Sequence, residues 1–187
     1  MPSSVPPIDL GITLAPGKSI HIDEKLSKNI VEQQSGLRSI RGNIIAASAE
    51  IELRIDIFLK QFFFPPKDKQ NEQKSEIFDS YLLKTGRFTF DQKVKLLEKI
   101  VCTDSNNKKL IKKLGRIREV RNQFAHRPMA FEPSTDPKDP QKNIIVPYLH
   151  WVNSKIKLDD AYFSELNKTF QEASNDLELL IKNQNTN

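Results

Sequence analysis

The stretch "LRSIRGNIIAASAEIELRIDIFLKQFFF", residues 37–64, decides the fold class. Ile40, Ile44, Ser48, Ile51, Ile55, Phe58 and Phe62 recur at spacings of three and four. That repeat lays one continuous face along a helix and predicts a long amphipathic α-helix. Pro65 and Pro66 stop it, because proline lacks the N–H and clashes with the preceding turn.

Working outward, a short polar helix is expected over about Asp23–Gln34, and "KDKQNEQKS" (67–75) reads as a solvated loop. A helix follows from about Glu76 to Lys84, with Gly86 ending it. Thr89 or Asp91 then caps a helix carrying Val94, Leu96, Leu97, Ile100 and Val101. "TDSNN" (103–107) is a turn, and "KKLIKKLGRIREVRNQFAH" is helical up to Pro128. "EPSTDPKDPQK" (132–142) reads as a long loop tip. "NIIVPYLHWVNSKIK" alternates β-branched and aromatic residues as a strand does, with "RPMAF" as its hairpin partner. The last helix is expected over about Asp159–Lys182, with Phe163, Leu166, Phe170, Ala173, Leu177 and Leu180 on one face.

The expectation is an all-α bundle of about five helices with a small β-hairpin before the last helix. A proline-rich arm (1–22) precedes one domain (23–184), and a loose tail (185–187) follows. A chain of 187 residues is long enough for one real core. The single cysteine, Cys102, excludes a disulfide framework and a cysteine-based metal site, and points to a reducing, cytoplasmic setting. There is no secretory leader pattern, and no apolar run nears the roughly 20 residues a membrane span needs, so no membrane partner is expected. Three scattered histidines with no HExxH supply no metal-ligand set. Neither GxxxxGK[ST] nor GxGxxG is present, and no cofactor is expected.

The net charge is +5, and one stretch carries a larger positive excess than the whole chain. Between Asn107 and Arg127 lie Lys108, Lys109, Lys112, Lys113, Arg116, Arg118, Arg121 and Arg127 against one acid, Glu119. Lys112, Lys113, Arg116, Arg118 and Arg127 are candidate RNA-backbone contacts of the salt-sensitive kind; the plain alternative is a solvated helix face. In the same helix Leu110, Leu114, Ile117, Arg121 and Phe124 follow at spacings of four, three, four and three, which sets Arg121 on the apolar seam. A buried, unpaired guanidinium costs several kcal/mol. Arg121 must therefore meet a carboxylate, open on a cleft, or face another subunit. Glu50, which forms an i,i+4 pair with Arg54 on the long helix, is the candidate carboxylate. His126 follows five positions later, near the helix end that Pro128 imposes.

At these residues the chain resembles the HEPN superfamily, whose signature is an arginine, a polar residue, and a histidine after four to six intervening positions. "RNQFAH" (121–126) fits, with Asn122 as the polar residue. The helix "AASAEIELRIDIFLKQFF", the segment "FDQKVKLLEKI" and the hairpin after the histidine look most like the mannitol-repressor-like branch. The resemblance covers roughly residues 35–182. It implies a helical homodimer with the motifs of two copies in one cleft, and metal-independent cleavage of RNA by attack of its own 2′-hydroxyl. Arg121 would stabilise the transition state, His126 would move the proton, and Asn122 would orient. Two alternatives come with it: a non-catalytic regulatory or interaction protein of the mannitol-repressor kind, and the toxin or defence component of a pair in which an antitoxin covers the cleft.

Overall fold

In a computed structural model, residues 24–65, 70–83, 85–86, 88–101, 104–136, 139–151 and 154–186 are described. The proline-rich arm, His21 and Cys102 lie outside them. The chain is all-α with a small antiparallel sheet inserted before the last helix. In order come α1 (Glu24–Phe63), α2 (Gln70–Phe78), a π-helical turn (Asp79–Leu83), α3 (Phe90–Val101), α4 (Ser105–His126), β1 (Met129–Asp136), β2 (Asp139–Trp151), β3 (Ser154–Lys157) and α5 (Asp160–Thr186). Two compact units are built from these. One holds the described residues up to Gly42 and His126–Phe163; the other holds Asn43–Ala125 and Ser164 onward.

The helical unit has one core. Ile51, Ile55, Phe58 and Leu59 of α1 join Phe90, Val94, Leu97 and Val101 of α3, Leu110, Leu114 and Ile117 of α4, and Ala173 and Leu177 of α5. Burying each large aliphatic or aromatic side chain stabilises by about 1.5–3 kcal/mol. The α1 repeat behaves as its spacing predicts. Ile44, Ser48, Ile51, Ile55 and Phe58 are buried and Ile40 is half-buried; the Ser48 hydroxyl donates to the Ile44 carbonyl at 2.7 Å, so its burial leaves no unmet donor. Phe62 departs from it and is largely exposed, stacked on Phe58.

The helix ends carry ordinary local chemistry. Thr89 and Gln92 form a capping box at the start of α3: the Thr89 amide donates to Gln92 Oε1 at 2.8 Å, and the Gln92 amide to Thr89 Oγ1 at 3.4 Å. Asp104 Oδ1 accepts from the Asn106 amide at 3.1 Å as α4 begins. Gly86 takes a φ of 69°, the left-handed region glycine enters freely, after the π-helical turn.

Several boundaries differ from expectation. The polar and apolar helices run together as α1, because a single interior glycine such as Gly36 costs only about 1 kcal/mol and does not stop a helix. Residues 70–75 are helical rather than loop, and α5 extends to Thr186 rather than fraying after Lys182.

In the other unit the sheet order is β1-β2-β3, all antiparallel. The expected hairpin is present but longer, with Met129 opposite Leu149 and Thr135 opposite Asn143. Residues 132–136 and 139–142, expected as loop, are strand, and Pro133 sits on an edge strand where a missing N–H is tolerated. The single strand expected through 157 is two, because β3 turns back to pair Lys157 with Tyr148. Ala130, Phe131, Val146, Leu149 and Leu158 are buried here. Asp159 caps α5, its Oδ1 accepting from the Tyr162 amide at 3.0 Å. That bond, ahead of Lys157, holds its carboxyl below the ordinary value.

Candidate functional site

The side chain that breaks the basic helix's pattern, Arg121, is not on the core seam. Val120 is fully buried, and the seam runs Leu110, Leu114, Ile117, Val120, Phe124. After Ile117 both the third and the fourth residue turn toward the core. The apolar one takes the centre and the arginine the margin, with its side chain 34% exposed. The expectation that Arg121 substitutes for a core residue is corrected by one position.

Its partner is corrected as well. Arg121 Nη1 lies 3.4 Å from Oε2 of Glu52, while Glu50 is exposed. Glu52 lies one turn from the buried Ser48 and Ile55, at the edge of the seam, whereas Glu50 lies one turn from the exposed Ala46 and Leu53. Arg54 reaches across to α5, with Nη1 3.9 Å from Glu178 Oε2. The Arg121 guanidinium also stands 5.8 Å from the centre of the Phe90 ring, within cation–π range.

Glu52 belongs to a larger group that the motif does not reveal. Lys93 of α3 is only 2% exposed, and its ammonium donates to Glu52 Oε1 at 2.9 Å, to Asp56 Oδ2 at 2.8 Å and to the Leu83 carbonyl at 3.4 Å. Two cations, Lys93 and Arg121, thus meet two carboxylates one helical turn apart on α1. Burial raises the Asp56 carboxyl above its usual 3.8, against the downward pull of Lys93, with Glu52 and Asp79 adding to the rise. A signal for Lys93 existed in the sequence: it stands beside Val94 and between Phe90 and Leu97 on the α3 stripe, where a lysine must find acids.

His126 is the last residue of α4 and is exposed, as is Asn122. Because α4 stays helical through His126, five residues separate the Arg121 and His126 side chains by about 140° around the helix and about 7.5 Å along it. No bend before His126 redirects the imidazole. Just beyond, Arg41 Nη2 donates to the Arg127 carbonyl at 2.8 Å, tying down the chain as it leaves α4. The motif gave no hint of Arg41.

The basic stripe is divided. Lys113 bridges Glu172 and Asp176 of α5, each at 2.9 Å, and Arg118 bonds to Asp91 at the start of α3. These two are tied to the protein's own acids. Lys108, Lys109, Lys112 and Arg116 remain exposed, Arg116 lying only 4.0 Å from Glu119. Lys108 and Lys109 sit near the N-terminal end of α4, where positive charge opposes the helix dipole. Arg127 is half-buried.

Among the described residues, no group of three or more His, Cys, Asp or Glu side chains is placed to hold a metal ion. Among them, too, no helix is long and apolar enough to cross a membrane. No protein-family model matches the chain, and neither a curated protein nor a solved structure shows significant similarity to it.

Proposed function

We propose that this protein is a metal-independent endoribonuclease of the HEPN type, acting as a homodimer. The observation that carries the reading is the placement of Arg121: a guanidinium at the margin of a packed helix, partly open to solvent, held by Glu52 and within cation–π distance of Phe90. Arginine keeps its charge at all working pH values and offers two parallel donors to phosphate oxygens. It suits the charge that builds on phosphorus when the RNA 2′-oxygen attacks. In that step the 2′-O–P bond forms and the P–O5′ bond breaks. One proton leaves the 2′-hydroxyl and one reaches the departing 5′-oxygen, leaving a 2′,3′-cyclic phosphate.

His126, exposed at the helix end, is the proton-carrying group; such assistance supplies about 10² to 10⁴ in rate. Asn122, one position after Arg121, is free to bond a phosphate oxygen or orient the imidazole. One chain contributes a single motif whose arginine and histidine leave α4 in different directions. A second copy supplies the complementary acid or base.

The Glu52–Arg121 pair favours a second reading. An arginine already neutralised by a carboxylate fits a non-catalytic regulatory protein of the mannitol-repressor kind. Incubation of the protein with mixed RNA in EDTA, beside an Arg121→Ala, His126→Ala double variant, separates the two. Cleavage by the parent alone, with cyclic phosphate at the new ends, is the expected result. Equal inertness of two folded proteins defeats the nuclease reading and favours the second.

A further inference from the structure

Glu52 uses its two oxygens unequally. Oε1 accepts from the Lys93 ammonium at 2.9 Å, while Oε2 stays 3.4 Å from Arg121 Nη1. The first distance is that of a charge-assisted hydrogen bond; the second is looser. The inequality has a cause in the core. The buried Lys93 ammonium also donates to Asp56 Oδ2 at 2.8 Å and to the Leu83 carbonyl at 3.4 Å, so acceptors on three residues fix its position. Glu52 is anchored to that fixed point and meets Arg121 only with its second oxygen.

We infer that Glu52 is an internal competitor for the anion that Arg121 binds: it occupies the place of a substrate phosphate, and Lys93 and Asp56 set how firmly it grips. A carboxylate and a phosphate present the same feature to a guanidinium, a pair of acceptor oxygens for two parallel donors. A phosphate reaching Arg121 must displace Oε2 or sit beside its negative charge. It meets a contact that is long and partly open to water, the Arg121 side chain being 34% exposed and that of Glu52 20%. Lys93 and Arg121 balance Glu52 and Asp56 in charge, so the four together offer an anion no net attraction.

Each member of the group acts in a definite direction. Neutralising Glu52 frees Arg121 and leaves the group net positive. Neutralising Asp56 turns Lys93 wholly toward Glu52 and loosens the grip on Arg121. Removing Lys93 leaves Glu52 to Arg121 alone and the group net negative. This describes the regulation of the proposed RNA-cleaving site, and rests on that reading only for naming the anion an RNA phosphate.

The probe is a fluorescein-labelled 2′-O-methyl oligouridylate, which has the phosphates of RNA but no hydroxyl to attack, so binding is read without cleavage. Fluorescence anisotropy at fixed salt should show Glu52→Gln, whose amide oxygen can still accept from Lys93, binding about fivefold more tightly than the parent. Asp56→Asn should bind more tightly by a smaller factor, and Lys93→Met more weakly. Circular dichroism checks each fold, and Asp56→Asn keeps the core's part testable should Lys93→Met fail to fold. Glu50→Gln removes the same charge from the exposed side of α1 and should change affinity by less than about twofold, since exposed charges are screened. Adding Arg121→Met should abolish the gain from Glu52→Gln. Glu52→Gln no tighter than the parent, an equal gain from Glu50→Gln, a gain that survives Arg121→Met, or no binding by any variant overturns the inference. Cleavage of the unmodified oligonucleotide is scored separately. Variants that bind in the expected order but cut nothing defeat the nuclease reading alone; a parent that cuts, with Glu52→Gln binding no more tightly, defeats the competitor alone.

Discussion

Arg121 and Lys93 share one carboxylate: Glu52 Oε2 lies 3.4 Å from the arginine, and Glu52 Oε1 accepts from the lysine at 2.9 Å. The carboxylate that holds Arg121 is therefore shared with a lysine buried in the core. What happens to Lys93 and to its second acid, Asp56, is open to direct measurement.

Lys93→Met leaves Glu52 and Asp56 without their common cation. Breaking a buried pair by removing one partner is expected to destabilise by roughly 3–5 kcal/mol. Urea unfolding measures it. Adding Asp56→Asn to Lys93→Met should recover part of the loss, because Glu52 keeps Arg121 and the charge left uncompensated goes with Asp56. A loss unchanged in the double variant would mean that the packing of the lysine stem, not its charge, is what matters.

Asp56 gives a pH signature. Its carboxyl titrates above the usual 3.8 in the folded protein, chiefly because it is buried. The native state therefore takes up this proton more readily than the unfolded chain does. The contribution is fully present below the unfolded value and is lost as pH rises through the folded value. The stability of the parent relative to Asp56→Asn should fall over that window as pH rises. A rise instead would show that the Lys93 bond outweighs burial.

The capping box at the start of α3 is local and easily probed. Thr89→Ala removes the oxygen that accepts from the Gln92 amide and should cost about 1 kcal/mol in denaturant unfolding. Thr89→Ser, which keeps the oxygen, should cost little.

The divided basic stripe predicts unequal roles in binding. Replacing Lys112 or Arg116 by alanine should lower the slope of log affinity against log salt for single-stranded RNA by about 0.7 per residue. Lys113→Ala should leave that slope unchanged. Its ammonium, pushed down by partial burial but pulled up more strongly by Asp176 and Glu172, is already committed within the fold. Equal slopes for Lys112→Ala and Lys113→Ala would refute the division.

Spacing alone revealed most of the helices and their inward faces, though not the helical start of α2 at Gln70. Spacings of three and four fix the azimuth of a side chain on its own helix, so Ile51, Ile55, Phe58, Leu110, Leu114, Ile117, Ala173 and Leu177 were legible as core. The cap of α3 was legible as Thr89 or Asp91, because capping chemistry lies within a few residues, and the capping box shows that it is Thr89. Only tertiary structure decided which neighbour each face meets. Periodicity could not choose between Val120 and Arg121, since both turn inward after Ile117, nor between Glu50 and Glu52, since that depends on where α3 and α4 lie beside α1. It also could not divide Lys112 from Lys113: adjacent lysines look alike in a chain, and only the nearness of Glu172 and Asp176 on α5 distinguishes them. Direction around a helix is a local property. The partner found in that direction is set by residues distant in the chain, 63 positions away for Lys113 and Asp176, through packing that no local spacing encodes.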